Sequence, residues 1–272
     1  MTYFAFLGLF LVIPIILLAG LNFFDTQKGK RLPAELRAWA PWAAILLHVL
    51  IALMYTTLWD NYLVATRVWW YEPDLVAGFT IGYVPIEEYT FFVLQPILAG
   101  LWLFLLARRL SPSTSRASFP GSLRIAATAA AAVIWLASVI VLLTGWGPGT
   151  YLSLELAWAL PPIALQLLFG ADILWRNRRL VLLTIASLTL FLSAADSLAI
   201  ALGTWTINPA KSLNLLIFGQ LPVEEFLFFL LTNILIVFGV VLVMAKESHA
   251  RLRRLRNLYW FANSPSKQGI AD

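Results

Sequence analysis

Long apolar stretches follow one another along the chain, and most charged residues lie in the short segments between them. Seven of these stretches are long enough to cross a bilayer as a helix, which takes roughly 17–25 residues. They cover residues 3–23, 39–59, 86–107, 122–145, 151–174, 180–202 and 222–245. Only 12% of all residues are charged, about half of the roughly 25% found in soluble domains. The pattern predicts an all-α polytopic membrane protein with seven transmembrane helices.

The distribution of basic residues predicts how these helices are oriented. Of the 19 Lys and Arg residues, 17 lie in the segments that follow helices 1, 3, 5 and 7, and only Arg67 and Lys211 lie elsewhere. Because Lys and Arg are enriched in cytoplasmic loops, we expect the N-terminus outside and the C-terminus in the cytoplasm of a multi-pass cell-membrane protein. The first helix is expected to be retained, since the segment Met1–Gly20 has no basic n-region and no cleavage site.

This topology accounts for the formal net charge of +5 without a nucleic acid partner. The basic tail segment Arg251–Phe261 is expected to lie on the anionic headgroups of the lipid bilayer. The chain contains no cysteine, which excludes disulfide and iron–sulfur chemistry. Its two histidines, His48 and His249, cannot form a typical zinc site. Neither a metal nor a cofactor is predicted.

One motif occurs twice, as VPIEEYTFF at Val84–Phe92 and as LPVEEFLFF at Leu221–Phe229. Residues before each copy also correspond, with 27 residues from the aspartate to the first glutamate in one copy and 28 in the other. The corresponding pairs are Asp60 and Asp196, Trp69 and Trp205, Pro73 and Pro209, Gly82 and Gly219, Pro14 and Pro161, and Asp25 and Asp172. Helices 1–3 are therefore predicted to repeat as helices 5–7.

The repeat predicts the organisation of the whole chain. Residues 1–110 form the first three-helix repeat, 111–149 a linker with helix 4, 150–246 the second repeat, and 247–272 a basic tail. An offset of four helices is even, so the two repeats have parallel topology and are related by an axis along the membrane normal. Both copies of the motif are expected to face one central cavity.

The acidic residues of the repeats are the candidate catalytic groups. An acid in the first turn of a helix gains about 0.3–1 kcal/mol from the helix dipole, which would explain a single glutamate without any function. Adjacent like charges repel, however, and ionisable groups at membrane depth are costly and usually face a cavity. We therefore predict catalytic roles for Glu87, Glu88, Glu224, Glu225, Asp60 and Asp196. For the two aspartates, solvation of a helix end is an equally good explanation. Three further acids, Glu72, Asp74 and Glu155, have no counterpart in the other repeat and are set aside.

Aromatic residues accompany both glutamate pairs. Phenylalanines follow one helical turn after the acids, and a ring face stabilises a nearby cation by about 2 kcal/mol or more where water is excluded. A protonated carboxyl group, a carboxylate and such ring faces together provide an acid, a base and a surface for a cation. The candidate substrate-binding residues are Phe91, Phe92, Phe228, Phe229, Trp69 and Trp205. Packing in the core or against lipid, and anchoring at the interface for the tryptophans, are the alternatives.

The doubled PIEEY-FF and PVEEF-FF motifs, each preceded by an aspartate and a Trp-x₃-Pro segment, resemble the integral-membrane lycopene cyclases over about residues 3–107 and 150–245. The chain looks like the fused form of a family that also occurs as two short subunits. The resemblance implies a cofactor-free, redox-neutral cyclisation of a linear carotenoid such as lycopene. A carboxylic acid protonates C2 of the end group, the C5–C6 double bond attacks the cation at C1, and loss of a proton completes the ring, which we expect to be of the β type. Association with other carotenoid-pathway enzymes is a further expectation.

Other functions remain open or are excluded by the sequence. A carotenoid hydratase would begin with the same protonation, and a proton-coupled transporter would also use intramembrane acids. A retinal protein is excluded because helix 7 has no lysine, and a prenyltransferase is disfavoured because no DxxxD motif occurs. The lack of a GxGxxG motif after a strand excludes a match to the flavin-dependent cyclases.

Overall fold

The computed structural model describes residues 1–110 and 121–263. Within this part of the chain, seven helices are long and apolar enough to cross a membrane, as predicted. They are α1 (Tyr3–Gln27), α2 (Pro41–Ala65), α3 (Ile86–Arg109), α4 (Ser122–Thr144), α5 (Thr150–Arg176), α6 (Arg178–Ala201) and α7 (Val223–Met244). A further helix, α8 (Lys246–Asn263), occupies the basic tail. Most of the predicted linker segment before helix 4, and the end of the predicted tail, lie outside the described residues.

The second helix is longer than its apolar stretch predicts. The apolar run ends near residue 59, whereas α2 continues to Ala65. The polar residue that interrupts the hydropathy pattern, Asp60, is 1% exposed and therefore lies within the helix and among its neighbours. Hydropathy alone predicts too early an end for α2, because a charged residue lowers the hydropathy whether it lies in a loop or is buried in a helix.

A π-helical turn interrupts α1 at Gly8–Val12. Such a turn accommodates one extra residue in a helix and is frequent at functional sites. The distance from Tyr3 to Pro14 is 11 residues in α1, whereas Tyr151 and Pro161 in α5 are 10 residues apart. The π turn accommodates the extra residue of α1. The helix axis can therefore keep the same direction before and after this turn.

Short strands, which the all-α prediction missed, connect the helices at the end that carries the glutamate pairs. They are β1 (Trp69–Tyr71), β2 (Thr80–Ile81), β3 (Val84–Pro85), β4 (Trp205–Ile207), β5 (Leu216–Ile217) and β6 (Leu221–Pro222). Strands β1 and β4 pair antiparallel, with Trp70 opposite Thr206. Two- and three-residue strands lie below the length at which alternation along the sequence becomes recognisable.

The two remaining strand pairs are hairpins that lead directly into α3 and α7. Gly82 and Gly219 adopt positive φ angles of 68° and 71° in their turns, a conformation that costs glycine little. In the first hairpin Ile81 pairs with Val84, whereas in the second Ile217 pairs with Leu221, so the second turn is one residue longer. If the repeat predicted from the sequence is correct, its single inserted residue lies in this turn.

Helices α3, α6 and α7 form the centre of the bundle. In the most apolar segment of each helix, 61% of the residues are buried in α3, 56% in α6 and 56% in α7. The corresponding fraction is 11% in α4, which packs at the periphery against α5. Polar side chains link the central helices, since Gln95 donates to the Thr232 hydroxyl at 2.9 Å and Asn233 donates to Thr189 at 3.2 Å. In membranes such contacts hold helices together.

Ion pairs join the helices at the end opposite the glutamates. Asp25 lies 2.7 Å from Arg109 and 3.2 Å from Lys30, while Asp172 lies 2.6 Å from Arg251 of α8. The guanidinium of Arg251 is partly buried, and its hydrogen bonds to Asp172 raise its pKa above the ordinary value. Helix α8 is thereby attached to α5.

Candidate active site

The glutamate pairs occupy the first turns of α3 and α7, as the sequence predicts. Each helix begins directly after a proline, Pro85 or Pro222, whose extended backbone ends a short strand. The strand, the proline and the helix start together direct the pair toward the interior. Glu87 and Glu224 are fully buried, Glu225 is 6% exposed, and Glu88 is partly buried.

The first glutamate of each pair binds the loop that precedes its helix. The backbone N–H of Ala77 donates to Oε1 of Glu87 at 2.6 Å, and that of Leu213 donates to Oε1 of Glu224 at 2.7 Å. Neither carboxyl group lines the cavity described below. These contacts are those of residues that hold a loop in place, and a catalytic role for Glu87 and Glu224 stays a prediction.

The second glutamate of each pair faces a shared cavity and accepts hydrogen bonds from tyrosines. The Tyr71 hydroxyl donates to Oε2 of Glu88 at 3.0 Å, and the Tyr3 hydroxyl donates to the same oxygen. On the opposite side, the Tyr151 hydroxyl donates to Oε1 of Glu225 at 2.7 Å. The cavity therefore presents two carboxyl groups, one from each half of the chain.

The Tyr71 hydroxyl keeps its proton in this arrangement and acts as a hydrogen-bond donor. Burial raises the pKa of its phenol well above the ordinary value, and the neighbouring carboxyl groups of Asp60 and Glu88 raise it further. Because no basic side chain lines the described cavity, ionising the phenol would add a negative charge to an acidic site. The hydroxyl consequently remains available to stabilise a carboxylate at Glu88.

The two predicted aspartates differ in their contacts. Both are 1% exposed, but only Asp196 lines the cavity, where Nε1 of Trp205 donates to its Oδ1 at 2.9 Å. Asp60 accepts no hydrogen bond from the described residues. The indole of Trp69 donates instead to the Tyr71 hydroxyl at 3.3 Å. Both aspartates are buried inside helices, so solvation of an exposed helix end does not explain them.

The two predicted tryptophans line the cavity, and each packs against the tyrosine of the other half. The ring of Trp205 lies 5.0 Å from that of Tyr3, and the ring of Trp69 lies 5.2 Å from that of Tyr151. Both halves therefore contribute to the site. Strands β1 and β4, which contain the two tryptophans, pair with each other.

Three of the four predicted phenylalanines reach the cavity. Phe91, Phe228 and Phe229 line it, and the rings of Phe91 and Phe229 meet edge to face at 6.2 Å. Phe92 does not line it and packs against Tyr89 at 5.7 Å. Its counterpart Phe229 does line the cavity, so the two halves differ at this position.

The sequence comparison of the repeats missed the tyrosines. Matching Pro14 with Pro161 pairs Tyr3 with Thr150 rather than with Tyr151, because the π turn adds one residue to α1. Tyr71 was missed because its counterpart is Ile207. A search for tyrosines near the start of each repeat, allowing one insertion, would have found the first pair.

Glu155, set aside for lack of a counterpart, is fully buried one turn after Tyr151. Its carboxyl group belongs to the acidic surroundings of Glu225. The requirement that a site residue occur in both halves excluded it, although a buried acid in an apolar span is itself a signal of function.

The free space in the cavity is small and mostly apolar. About 50 Å³ is open to the centre of a water-sized sphere, which is enough for a few water molecules. A bulkier apolar group therefore requires the lining aromatic side chains to move outward. Two carboxyl groups, that of the buried Glu225 and that of the partly buried Glu88, face the cavity among aromatic rings and can transfer a proton to and from such a group.

Comparisons with known proteins agree with this site. A family model described as lycopene cyclase matches residues 1–106 and 148–247. The chain is 40% identical over 206 residues to a protein of Halobacterium salinarum named lycopene beta-cyclase, covering 76% of this chain and 83% of that protein.

Longer fungal proteins are also similar. A bifunctional lycopene cyclase/phytoene synthase of Sporisorium reilianum is 39% identical over 204 residues, which cover 72% of this chain and 29% of the fungal protein. A protein of the same name from Fusarium fujikuroi is 33% identical over 242 residues, or 85% of this chain and 38% of the relative. No solved structure matches the chain. With both glutamate motifs inside the matched segments, the chain belongs to the lycopene cyclase family of membrane enzymes.

Proposed function

We propose that this enzyme cyclises the linear end group of lycopene, or of a closely related linear carotenoid, by acid catalysis without a cofactor. One observation carries the proposal: Glu88 and Glu225 face one aromatic cavity from opposite halves of the chain, each held by a tyrosine hydroxyl. The 40% identity to a protein named lycopene beta-cyclase supports a β-type ring as the product.

The reaction needs one proton donor and one proton acceptor. A protonated glutamate gives its proton to C2 of the end group, leaving a tertiary cation at C1. The electron pair of the C5–C6 double bond then forms the C1–C6 bond, which moves the positive charge to C5. Loss of a proton from a carbon next to C5 forms the ring double bond, and a carboxylate accepts that proton. The product has the same composition as the substrate.

The aromatic rings suit the charged intermediates. Phe91, Phe228 and Phe229 line the cavity beside the glutamates, and a ring face stabilises a desolvated cation by about 2 kcal/mol or more. An end group that fills this small cavity displaces water, which would otherwise trap the cation as an alcohol. The cavity thereby favours cyclisation over hydration.

We further propose that the two halves are three-helix repeats around a pseudo-two-fold axis along the membrane normal. Support comes from the pairing of β1 with β4, in which Trp70 faces Thr206. The residues on either side of this pair are matched in the order that a two-fold axis between the strands requires. The equivalent hydrogen bonds of Glu87 and Glu224 to their loops agree with this arrangement. So does a family match that falls in two separate segments.

The proposed orientation keeps the site at the outer end of the helices and the C-terminus in the cytoplasm. Basic residues concentrate at the other end, where Arg109 pairs with Asp25 and Arg251 with Asp172. This distribution agrees with the enrichment of Lys and Arg on the cytoplasmic side. The substrate, being a hydrocarbon, would reach the cavity from the lipid bilayer.

Pigment analysis in cells that accumulate lycopene tests the function. The unchanged chain is expected to convert lycopene to a cyclic carotene of the same mass. Glu88→Gln and Glu225→Gln should each lower the conversion rate at least about 100-fold, since general acid–base catalysis contributes roughly 10²–10⁴. Glu72→Gln is the matched control because Glu72 is exposed.

Other products would contradict the proposal in distinct ways. A product heavier by one water would identify a hydratase. Unchanged lycopene in membranes that contain normal amounts of the protein would refute the cyclase activity and favour transport or binding. Full activity in both glutamine variants would refute the assignment of the site.

A further inference from the structure

The cavity is too small to hold more than the end of a linear carotenoid. About 50 Å³ is free, whereas the proposed substrate continues from its end group into a long conjugated hydrocarbon chain. This chain has no polar group to place in water, so it must leave the cavity between two helices, toward the lipid. Aromatic side chains mark two interfaces between the halves, the α1/α6 interface at Phe10 and Phe191 and the α2/α5 interface at Tyr55, Trp59 and Trp158.

Stacked rings fill the α2/α5 interface. The ring of Trp59 lies 5.9 Å from that of Phe228, which lines the cavity, and 4.3 Å from that of Trp158. Trp158 in turn stacks on Tyr55 at 5.6 Å, and Tyr55 is 40% exposed. Successive rings are tilted by 5°, 16° and 20°. They form a continuous row from the cavity wall to the surface of the bundle.

Hydrogen bonds hold this row of rings across the α2/α5 interface. The indole N–H of Trp59 donates to the carbonyl oxygen of Leu154 at 3.3 Å, and the Tyr55 hydroxyl donates to that of Trp158 at 2.8 Å. Both bonds run from α2 to α5. In the hydrocarbon core of a membrane no water replaces a lost partner, so separating these two helices would leave polar groups unpaired.

The α1/α6 interface lacks both the stack and these bonds. Phe10, in the π turn of α1, meets Phe191 of α6 edge to face at 6.4 Å, and Phe191 is 39% exposed. Phe6 lies 5.3 Å from Phe10 and lines the cavity. No hydrogen bond joins α1 to α6 within the described ranges, which include both helices in full. Beyond the helix ends, the Thr204 hydroxyl donates to the Met1 carbonyl oxygen.

A sequence difference between the halves contributes to this contrast. Tyr55 and Phe191 each lie five residues before the buried aspartate of their helix, but the residue directly before that aspartate is Trp59 in α2 and Ala195 in α6. A methyl group therefore stands where the other half has the indole that joins the stack to the cavity wall. The rings of Phe10 and Phe191 can separate without leaving a polar group unpaired.

We propose, resting on the cyclisation proposed above, that the substrate enters through the α1/α6 interface and that its conjugated chain lies there while the end group reacts in the cavity. Phe10 and Phe191 form the gate of this passage, and their rings move apart when the hydrocarbon enters. The passage suits a hydrocarbon chain, because Phe6, Phe10 and Phe191 present only apolar rings to it. The α2/α5 interface stays closed during turnover.

Reversible cross-linking across each interface tests this proposal. The chain contains no cysteine, so an introduced pair provides its only two thiols. Membranes with Phe10→Cys/Phe191→Cys are treated with a short bifunctional methanethiosulfonate reagent, and the initial rate of lycopene conversion is measured. Cross-linking should lower the rate at least about 10-fold, because a closed gate prevents entry. A reductant, which cleaves the link, should restore the rate.

The matched control is Tyr55→Cys/Trp158→Cys, which places the same link across the α2/α5 interface. Its rate should stay within about 2-fold of its own rate before cross-linking, since this interface does not open. Mass spectrometry of proteolytic fragments confirms that each link has formed. An unchanged rate in the linked α1/α6 pair, an equal loss in both pairs, or a loss in the control pair alone would overturn the proposal. An unmodified chain that converts no lycopene would instead refute the cyclase function itself.

Protection of a single cysteine gives a second measurement that does not depend on activity. Phe10→Cys is combined with Glu88→Gln, so that lycopene stays unconverted, and is labelled with a membrane-permeant maleimide. Lycopene at about 10 times its Kd should slow the labelling about 10-fold, because only the unoccupied fraction reacts. Tyr55→Cys in the same background should be labelled equally fast with and without lycopene. Equal protection at both positions, or none at Phe10→Cys, would overturn the proposal.

Discussion

At the scale of single residues, adjacent glutamates in one motif have different surroundings. Glu87 binds a backbone N–H of its loop, whereas Glu88 faces the cavity and two tyrosine hydroxyls. The same division recurs at Glu224 and Glu225. The sequence predicts that both pairs are functional, but it contains nothing that separates an acid that holds a loop from one that meets the substrate.

This division predicts different outcomes for substitutions of neighbouring residues. Glu87→Gln keeps an oxygen that can accept the Ala77 N–H, so activity should fall less than about 10-fold. Glu87→Ala leaves that buried donor unpaired, which costs roughly 1–3 kcal/mol, and both activity and the amount of protein in the membrane should fall. Pigment analysis with immunoblotting measures both. A loss in Glu87→Gln as severe as in Glu88→Gln would contradict a loop-holding role.

At the scale of elements, hydropathy predicted every spanning helix but not the features that shape the site. The strands are too short to produce a recognisable alternation. Hydropathy also predicts too early an end for α2, because Asp60 is charged but buried within the helix. The π turn of α1 shifts the alignment by one residue and so concealed the match between Tyr3 and Tyr151. Apolar periodicity reports burial, whereas these features depend on contacts between distant segments.

The π turn predicts that two single-residue deletions, one in α1 and one in α5, differ in their effect on activity. Deleting Leu9, which is 52% exposed, converts the π turn into a regular turn and gives α1 the same Tyr-to-Pro spacing as α5. Tyr3 should still reach Glu88, and conversion of lycopene should stay within about 10-fold of normal. Deleting Ala157 from the regular part of α5 rotates Tyr151 by about 100° relative to the rest of the helix, and activity should be lost.

Both deletions are compared by pigment analysis at equal protein amounts in the membrane. The Ala157 deletion is the matched control, since it shortens a helix by the same one residue. Loss of activity in the Leu9 deletion alone would show that the π turn itself is required.

At the scale of the whole molecule, the two halves share one site. Glu88 and Tyr3 come from the first half, Glu225 and Tyr151 come from the second, and β1 pairs with β4 between them. The central helices α3, α6 and α7 contribute to one continuous apolar core. The halves should therefore associate without a covalent connection.

Dividing the chain between residues 110 and 121 tests this expectation. Co-expression of the segments 1–110 and 121–272 should restore lycopene conversion to within about 10-fold of the intact chain, because the apolar interface and the β1–β4 pairing remain. Each segment alone should be inactive, since each supplies one of the two cavity glutamates. Activity of either segment alone would contradict a site shared between the halves.

The crossed packing of Tyr3 on Trp205 and of Tyr151 on Trp69 has a consequence for how such a chain can change over generations. A substitution in one half alters the support of the carboxyl group in the other, so selection acts on the two copies jointly. Neither half can then lose its aromatic residues without affecting the carboxyl group of the other. The halves differ at positions outside these crossed pairs, such as Tyr71 and its counterpart Ile207.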